Sequence, residues 1–415
     1  MSGPLAGSLS FLVPDRAEAA LLAVCLRPER AGAAWAEWTR LGGDLDGYRS
    51  LLPLVDAGVR EAGVWIEPAL AARLAAARLH ETLRWTAVRD VTADALGRLA
   101  RAGLDPVAIQ DVAMAATAYD DPALRHCRAL EILVPPGAVT PGVRALAAAG
   151  YLPGAGNASA TGASLRHADG LPVRLTAVLF PASDSRTDAG ALRVRAVPAE
   201  IGGAARVPAP ADALALLLGR AGLGAERRSL LWVCDAAALI ERSDPEWERV
   251  VGSAVDAGLG LPIARMAEWL SAELGVPVPS AATARMAAVP ARGREARHAL
   301  ETALECARAD GRAGPLGLLA RAESWRERAR VARWTALPST DRVRRSYPGV
   351  PGAALPLLYL VRPLLAAVRS VARRPRGRAA APGSRDPGGG TAAARSEDPE
   401  GREGGRPSAS PRSSE

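Results

Sequence analysis

Apolar residues recur at helical spacing from Ala17 to about Leu54, first as Ala20, Leu21, Val24 and Cys25, then as Trp35, Trp38 and Leu41. A period near 3.6 fits this stretch better than alternation. Glu67 to Leu99 predicts one or two longer helices, since Ala and Leu favour helix and Arg keeps an outer face wet. The pattern changes at Gly103. Pro106 to Gln110 reads PVAIQ, a short apolar run suited to a buried strand, and Val112 to Tyr119 follows as a helix. Asp120, Asp121 and Pro122 form a turn signal. Leu130 to Val134 (LEILV) is a second short strand, closed by Pro135, Pro136 and Gly137. Val139 to Ala149 is helical and ends at Gly150, a C-cap.

Asp169 and Gly170 stand between two further strand-like runs, Ala163 to Ala168 and Val173 to Leu179, and predict a hairpin. Ala191 to Ala196 and Ala204 to Val207 predict another pair of strands around Gly202 and Gly203. Helical spacing then returns over about 209–222, 228–241, 245–257, 261–274, 290–308 and 315–335, with Ser243 and Asp244 before Pro245 marking a helix start. Leu355 to Val371 is a last apolar helix, interrupted by Pro363. From about Arg374 large apolar residues nearly vanish, and that segment cannot offset its ordering entropy, so it is expected to be disordered.

These elements predict an α+β, mainly helical chain with a small mixed-sheet core between helical regions. The expected divisions are a loose leader (1–15), an N-terminal helical region (16–100), the α/β core (101–208), a C-terminal helical bundle (209–373) and a disordered tail (374–415). No internal repeat is visible.

Composition qualifies this picture. Hydrophobic residues make up 49% of the 415, but aromatics only 4%, with Phe at Phe11 and Phe180 alone, so the core is built from aliphatic side chains and Trp. The formal charge is +8, and all 52 basic residues are arginine. With the Ala, Gly and Pro load, this reads as a GC-rich coding sequence. Arginine is spread through every segment, often beside Asp or Glu, rather than gathered on one stripe as a nucleic-acid binder requires. The densest excess, Arg369 to Arg378, borders the tail.

Cys25, Cys127, Cys234 and Cys306 are far apart and form no CxxC pair, which argues against zinc and against a disulfide framework. The N-terminus lacks a basic region followed by an apolar run, and no stretch has the ~20 uninterrupted apolar residues of a spanning helix. The expected location is cytoplasmic. There is no P-loop and no Rossmann glycine fingerprint. His80, His126, His167 and His298 show no metal spacing, and His126–Cys127 lacks a third catalytic member.

Several landmarks, in order, resemble a family of largely uncharacterised bacterial nucleotidyltransferases. Tyr119, Asp120, Asp121, Pro122, Ala123, Leu124 and Arg125 are similar to its Tyr-Gly-Asp-Pro-x-x-Arg stretch. Glu131 to Val134 falls on its Asp-x-Asp strand, and Gly150–Tyr151 on the end of its next helix. Leu231 to Asp235 resembles its Trp-x-x-Asp helix, Trp247 the tryptophan that follows, and Tyr347 with Leu357 to Pro363 its closing segment. The likeness spans about residues 17 to 371. It implies a nucleotidyltransferase-like core using Mg²⁺ and a nucleoside triphosphate.

The departures fall on the chemistry. Gln110 stands where the family has Lys and Asp111 where it has Gly. Ala129 replaces the first Asp of Asp-x-Asp and Glu131 the second; Arg174 falls at the later Glu and Thr176 at its His. Nucleotidyl transfer works by neutralising a highly anionic transition state, with Mg²⁺ held on acids at i and i+2 of a strand and a third from its neighbour. Ala129 supplies no oxygen. A guanidinium at 174 would repel a cation at ~4 Å by about 4 kcal/mol per unit charge at an effective dielectric near 20.

The expectation is therefore a nucleotidyltransferase-family protein with a degraded metal site, acting as a catalytically inactive binding or accessory module. The alternative is an active Mg-dependent transferase with relocated carboxylates drawn from Asp111, Asp120 and Asp121. The candidate catalytic positions are Glu131 and Asp111, the candidate substrate-binding positions Gln110, Tyr119, Arg125 and Arg174, and no metal ligand is assigned. Plainer roles stand beside these. Asp120 and Asp121 suit a turn, Glu131 a rim pair with a nearby Arg, Arg125 an ion pair, Tyr119 packing, and Asp235 a helix–helix contact. No cofactor is expected unless the protein is active. A protein partner or a nucleotide is the expected ligand, with no specific nucleic acid and no membrane span. A membrane-surface role for Leu355 to Arg374, apolar and then basic, competes with a final core helix there.

Overall fold

In the computed structural model the described residues are 12–154, 158–180, 189–223 and 229–288, with Trp325 and Ala329 in helix. All the elements below belong to one compact unit, residues 1–355. The leader, the helices expected over 290–308 and 355–371, most of 315–335, and the tail lie outside the described residues.

The stretch from Ala17 to Leu54 is not one helix. It forms α1 (Arg16–Leu26) and α2 (Ala31–Arg40), then a tight 3-10 segment (Leu45–Leu51) that runs into α3 (Leu52–Glu61). Pro28 and the Gly42–Gly43 pair supply the breaks. Asp15 starts α1 with a full capping box, its carboxylate accepting from Glu18 N while Glu18 accepts from Asp15 N. α3 can press on α1 because position 58 is glycine: a Cβ there would lie 2.0 Å from the carbonyl oxygen of Val24. Glu67 to Leu99 resolves into a single helix, α4 (Pro68–Arg101), of 34 residues.

The α/β core follows as β1 (Val107–Ile109), α5 (Asp111–Ala118), β2 (Leu130–Leu133), α6 (Val139–Ala147), β3 (Leu152–Pro153), β4 (Gly162–Arg166) and β5 (Pro172–Thr176). The five strands form one sheet in the order β1-β2-β5-β4-β3, mixed because β2 and β5 run parallel while the other pairs are antiparallel. Val107, Ala108 and Ile109 have no exposed surface, so β1 is covered on both faces, as an uninterrupted apolar run requires. β4 and β5 alternate instead. Ala163, Leu165, Val173 and Leu175 are buried, and α6 packs against both strands, while Ser164 and Arg174 face solvent. Their hairpin turns at 167–171 with Gly170 at φ 84, as the Asp-Gly pair predicts. Gly150, φ 88, closes α6, and Tyr151 N donates back to Leu146 O at 3.2 Å.

Residues 191–196 are not a strand. α7 (Ala189–Arg195) is helical, and the second hairpin is β6 (Val197–Glu200) with β7 (Ala204–Val207). The alternation in ALRVRAV reads equally as helix in a run of Ala, Leu and Arg. The C-terminal bundle comprises α8 (Pro210–Gly222), α9 (Leu231–Ser243), α10 (Trp247–Asp256), α11 (Gly260–Leu274) and α12 (Ser280–Ala288), the last not anticipated. The helix start expected at Ser243–Pro245 is displaced: Ser243 ends α9, Asp244 is left-handed at φ 41, and Glu246 is the N-cap of α10. Among the described residues no helix is long and apolar enough to cross a membrane.

Candidate functional site

β1 ends at Ile109, and the chain turns into α5 through Gln110, which is buried at φ 58, ψ −129. That is a conformation glycine adopts freely and a glutamine holds at a cost of about 1–3 kcal/mol. In this turn the glycine-type backbone falls on Gln110, the residue before Asp111. Asp111 is instead the first residue of α5, where the helix N-terminus favours negative charge.

Asp111 is 4% exposed and faces cations. It accepts from Arg128 N at 2.8 Å, Arg128 Nε at 3.2 Å and Arg128 Nη2 at 3.1 Å, and Arg125 Nη1 lies 2.9 Å from Oδ1. Burial opposes its ionisation, but the two guanidinium groups and these hydrogen bonds outweigh it and hold the carboxyl well below the usual carboxylate range.

Arg125 connects Asp111 to a second acid. Its Nε and Nη2 donate to Asp235 Oδ1 and Oδ2 at 3.2 and 2.8 Å, and the Tyr119 hydroxyl donates to Asp235 Oδ1 at 2.7 Å. Asp235, on α9, has no exposed surface, and Arg125 has 2%. Burial alone would lower the Arg125 pKa, but Asp111 and Asp235 raise it well above its ordinary value. Burial first, and Asp235 next, push the Tyr119 hydroxyl well up. The structure thus brings three of the candidate residues, Asp111, Tyr119 and Arg125, into one buried network with Asp235, which ties the tyrosine-to-arginine stretch to the helix of the Leu-Trp-Val-Cys-Asp segment.

Glu131 and Arg174 lie apart from that network, on the sheet. They are direct Cα partners across β2 and β5, and Ser164 on β4 continues the row. Arg174 is exposed and forms no ion pair among the described residues. Glu131 is held by Arg220 of α8: Nη1 donates to Oε2 at 2.8 Å, and Nη2 lies 2.8 Å from Oε1 at an angle too poor for a hydrogen bond. The two side chains are 12% and 8% exposed, and Arg220 Nε also donates to Leu179 O at 3.0 Å. Thr176, the other departure on β5, donates to Val178 O at 2.8 Å.

The remaining acids near the stretch are committed elsewhere. Asp121 caps the short 3-10 turn Pro122–Leu124 through Ala123 N and accepts from Arg78 Nη2 at 2.8 Å. Asp120, largely exposed, pairs with Arg242 at 2.8 Å. His126 Nδ1 is 2.7 Å from Glu81, whose carboxyl burial pushes up but the His126 hydrogen bond and charge pull below its ordinary value. Burial, the largest influence, pushes the adjacent Cys127 thiol up to about 12, so it is no ready nucleophile. Among the described residues no group of three or more His, Cys, Asp or Glu side chains is placed to hold a metal.

Arg220 and Arg128 were not legible as members of this region. Arg220 had one signal, a lone charge within LALLLGRAG, on a helix whose residues are nearly all buried. A cation there needs a partner. Arg128 sits in a loop between Cys127 and Ala129, and nothing in its neighbours marks it.

The chain is thus an α+β protein, a small mixed sheet with a glycine-type turn into α5 set between helical regions. The family model described as uncharacterised nucleotidyltransferase matches residues 47–274, more than half of the chain, and the protein belongs to that family. No curated protein matches it.

Proposed function

We propose that this nucleotidyltransferase-family chain has a degraded metal site and serves as a catalytically inactive binding or accessory module. The observation that carries this reading is the environment of Glu131. Both of its oxygens lie 2.8 Å from Arg220, and Arg174 occupies the paired position on the neighbouring strand. A divalent cation needs free carboxylate oxygens. The oxygens here are already neutralised, Ala129 offers none, and Asp111 is taken by Arg125 and Arg128. This donor set does not fit Mg²⁺.

The relocated-site alternative needs Asp111, Asp120 and Asp121 to converge. Each instead pairs with a different arginine or pair of arginines, which counts against it. We take the chain to be cytoplasmic, as its widely spaced cysteines suggest.

The test is nucleotide transfer by the full chain with Mg²⁺ or Mn²⁺ and each nucleoside triphosphate, read as pyrophosphate release and as mass added to the chain or to candidate acceptors. The expected result is no metal-dependent turnover. Turnover that disappears in Glu131→Gln would overturn the reading.

A further inference from the structure

β4 and β5 bury one face and turn the other to solvent. On the solvent side Arg174 stands opposite Ser164, both exposed, and Arg166 lies two residues along β4 on the same face, exposed as well. Arg166 and Arg174 are therefore diagonal neighbours across the two strands, about 7–8 Å apart at the backbone, a spacing that long side chains close easily. Two like charges so placed repel each other. Among the described residues neither forms an ion pair, and Arg166 makes one long hydrogen bond, Nη1 to Gly170 O at 3.4 Å.

The acids nearby are already matched. Glu131, opposite Arg174 on β2, is paired with Arg220, and Asp169 in the hairpin turn lies 3.2 Å from His167 Nδ1. Along the row, three guanidinium groups thus meet one carboxylate, and the charge of Arg166 and Arg174 is left over. Between these two arginines stands the Ser164 hydroxyl. Gly154, whose N–H donates to Ser164 O at 2.8 Å, leaves the ground beside it uncovered: a Cβ there would lie 2.9 Å from the Ser164 carbonyl carbon and 3.0 Å from its Cβ.

We propose that this face binds a short oligophosphate group directly on Arg166, Arg174 and the Ser164 hydroxyl, with no metal ion between them. The proposal deepens the reading above and rests on it, because a face that still held Mg²⁺ would take its anion through the metal. Two separated guanidinium forks and a hydroxyl call for more oxygens than one carboxylate offers, and phosphate oxygens match the fork bidentately. A nucleic-acid strand fits less well. Leu152 and Pro172, which continue the row beside Arg166, give no aromatic ring on which a base could stack, and two charges are few for a phosphate backbone.

The experiment is isothermal titration calorimetry of the full chain with inorganic tripolyphosphate, at low salt and with EDTA present. One ion is expected to bind per chain with a Kd on the order of 10–100 µM. Arg166→Glu and Arg174→Glu should each weaken binding about tenfold or more, with unchanged circular dichroism because both positions are exposed, and Ser164→Ala about threefold. Arg174→Gln, which adds no negative charge beside Glu131, decides if Arg174→Glu misfolds. Arg49→Glu, the same charge change on an exposed residue of the N-terminal helical region, should leave binding unchanged. An equal loss in Arg49→Glu would mean general attraction to a chain of charge +8 and overturns the proposal. So does tighter binding of hexaglutamate or of a thymidine oligonucleotide on the same arginines. Binding that appears only with Mg²⁺, or metal-dependent turnover, overturns the degraded-site reading together with this one. No binding up to about 1 mM, without turnover, overturns this inference alone.

Discussion

Arg220 reaches from α8 to Glu131 on β2, placing one guanidinium nitrogen within 2.8 Å of each carboxylate oxygen. The pair is nearly removed from water, so its two members are unequal to their sum. Arg220→Met leaves a buried, uncompensated carboxylate and should cost about 3–5 kcal/mol in urea unfolding. The double variant Arg220→Met/Glu131→Leu should recover most of that loss, because an apolar pair of similar volume replaces both charges. A double variant no more stable than the single one would show that Glu131 is not unpaired in Arg220→Met.

The network around Arg125 makes a graded prediction. Tyr119→Phe removes one of the hydrogen bonds on Asp235 while leaving both from Arg125, and should cost about 1 kcal/mol. Asp235→Ala leaves Arg125 with Asp111 as its remaining carboxylate partner, and should cost about 3–5 kcal/mol. Chemical denaturation of the two variants against the native chain checks the order.

How much of this was visible in the residues divides by sequence distance. The strands PVAIQ and LEILV, the turn at Gly170 and the helix end at Gly150 depend on local composition and emerged where expected. The ALRVRAV segment misled because its alternation and its helix propensity disagree, and packing decides such cases. At the site, Ala129, Glu131 and Arg174 could be named because the resemblance orders them along the chain. Arg220 lies 89 residues from Glu131 and Asp235 110 from Arg125, and no local pattern couples residues across such gaps. The left-handed backbone of Gln110 was hidden for a different reason: a glutamine carries no mark of the conformation it is forced to adopt.

Acid should weaken the fold through Asp111. Its folded-state pKa is held below the unfolded value, near 4, by Arg125 and Arg128 against the opposing effect of burial. The unfolded chain therefore binds the extra proton first. The stability due to this group is complete above the unfolded pKa and is lost as pH falls below about 4 towards the folded value. Asp111→Asn, which does not titrate, should be less stable than the native chain at pH 7, and the two stability curves should converge as pH falls below 4. Parallel curves across that range would remove Asp111 from the acid response.

Gln110 offers a test with the opposite sign. Most substitutions at buried positions destabilise, but φ 58 with ψ −129 is a backbone state that a side chain resists and glycine does not. Gln110→Gly releases strain of about 1–3 kcal/mol and pays part of it back through the greater freedom of glycine in the unfolded chain. The net expectation is a gain of about 1 kcal/mol in unfolding free energy. Gln110→Ala keeps the Cβ and therefore the strain, so it separates backbone relief from loss of the amide side chain. A glycine variant less stable than the alanine variant would mean that the turn between β1 and α5 is not strained at this residue.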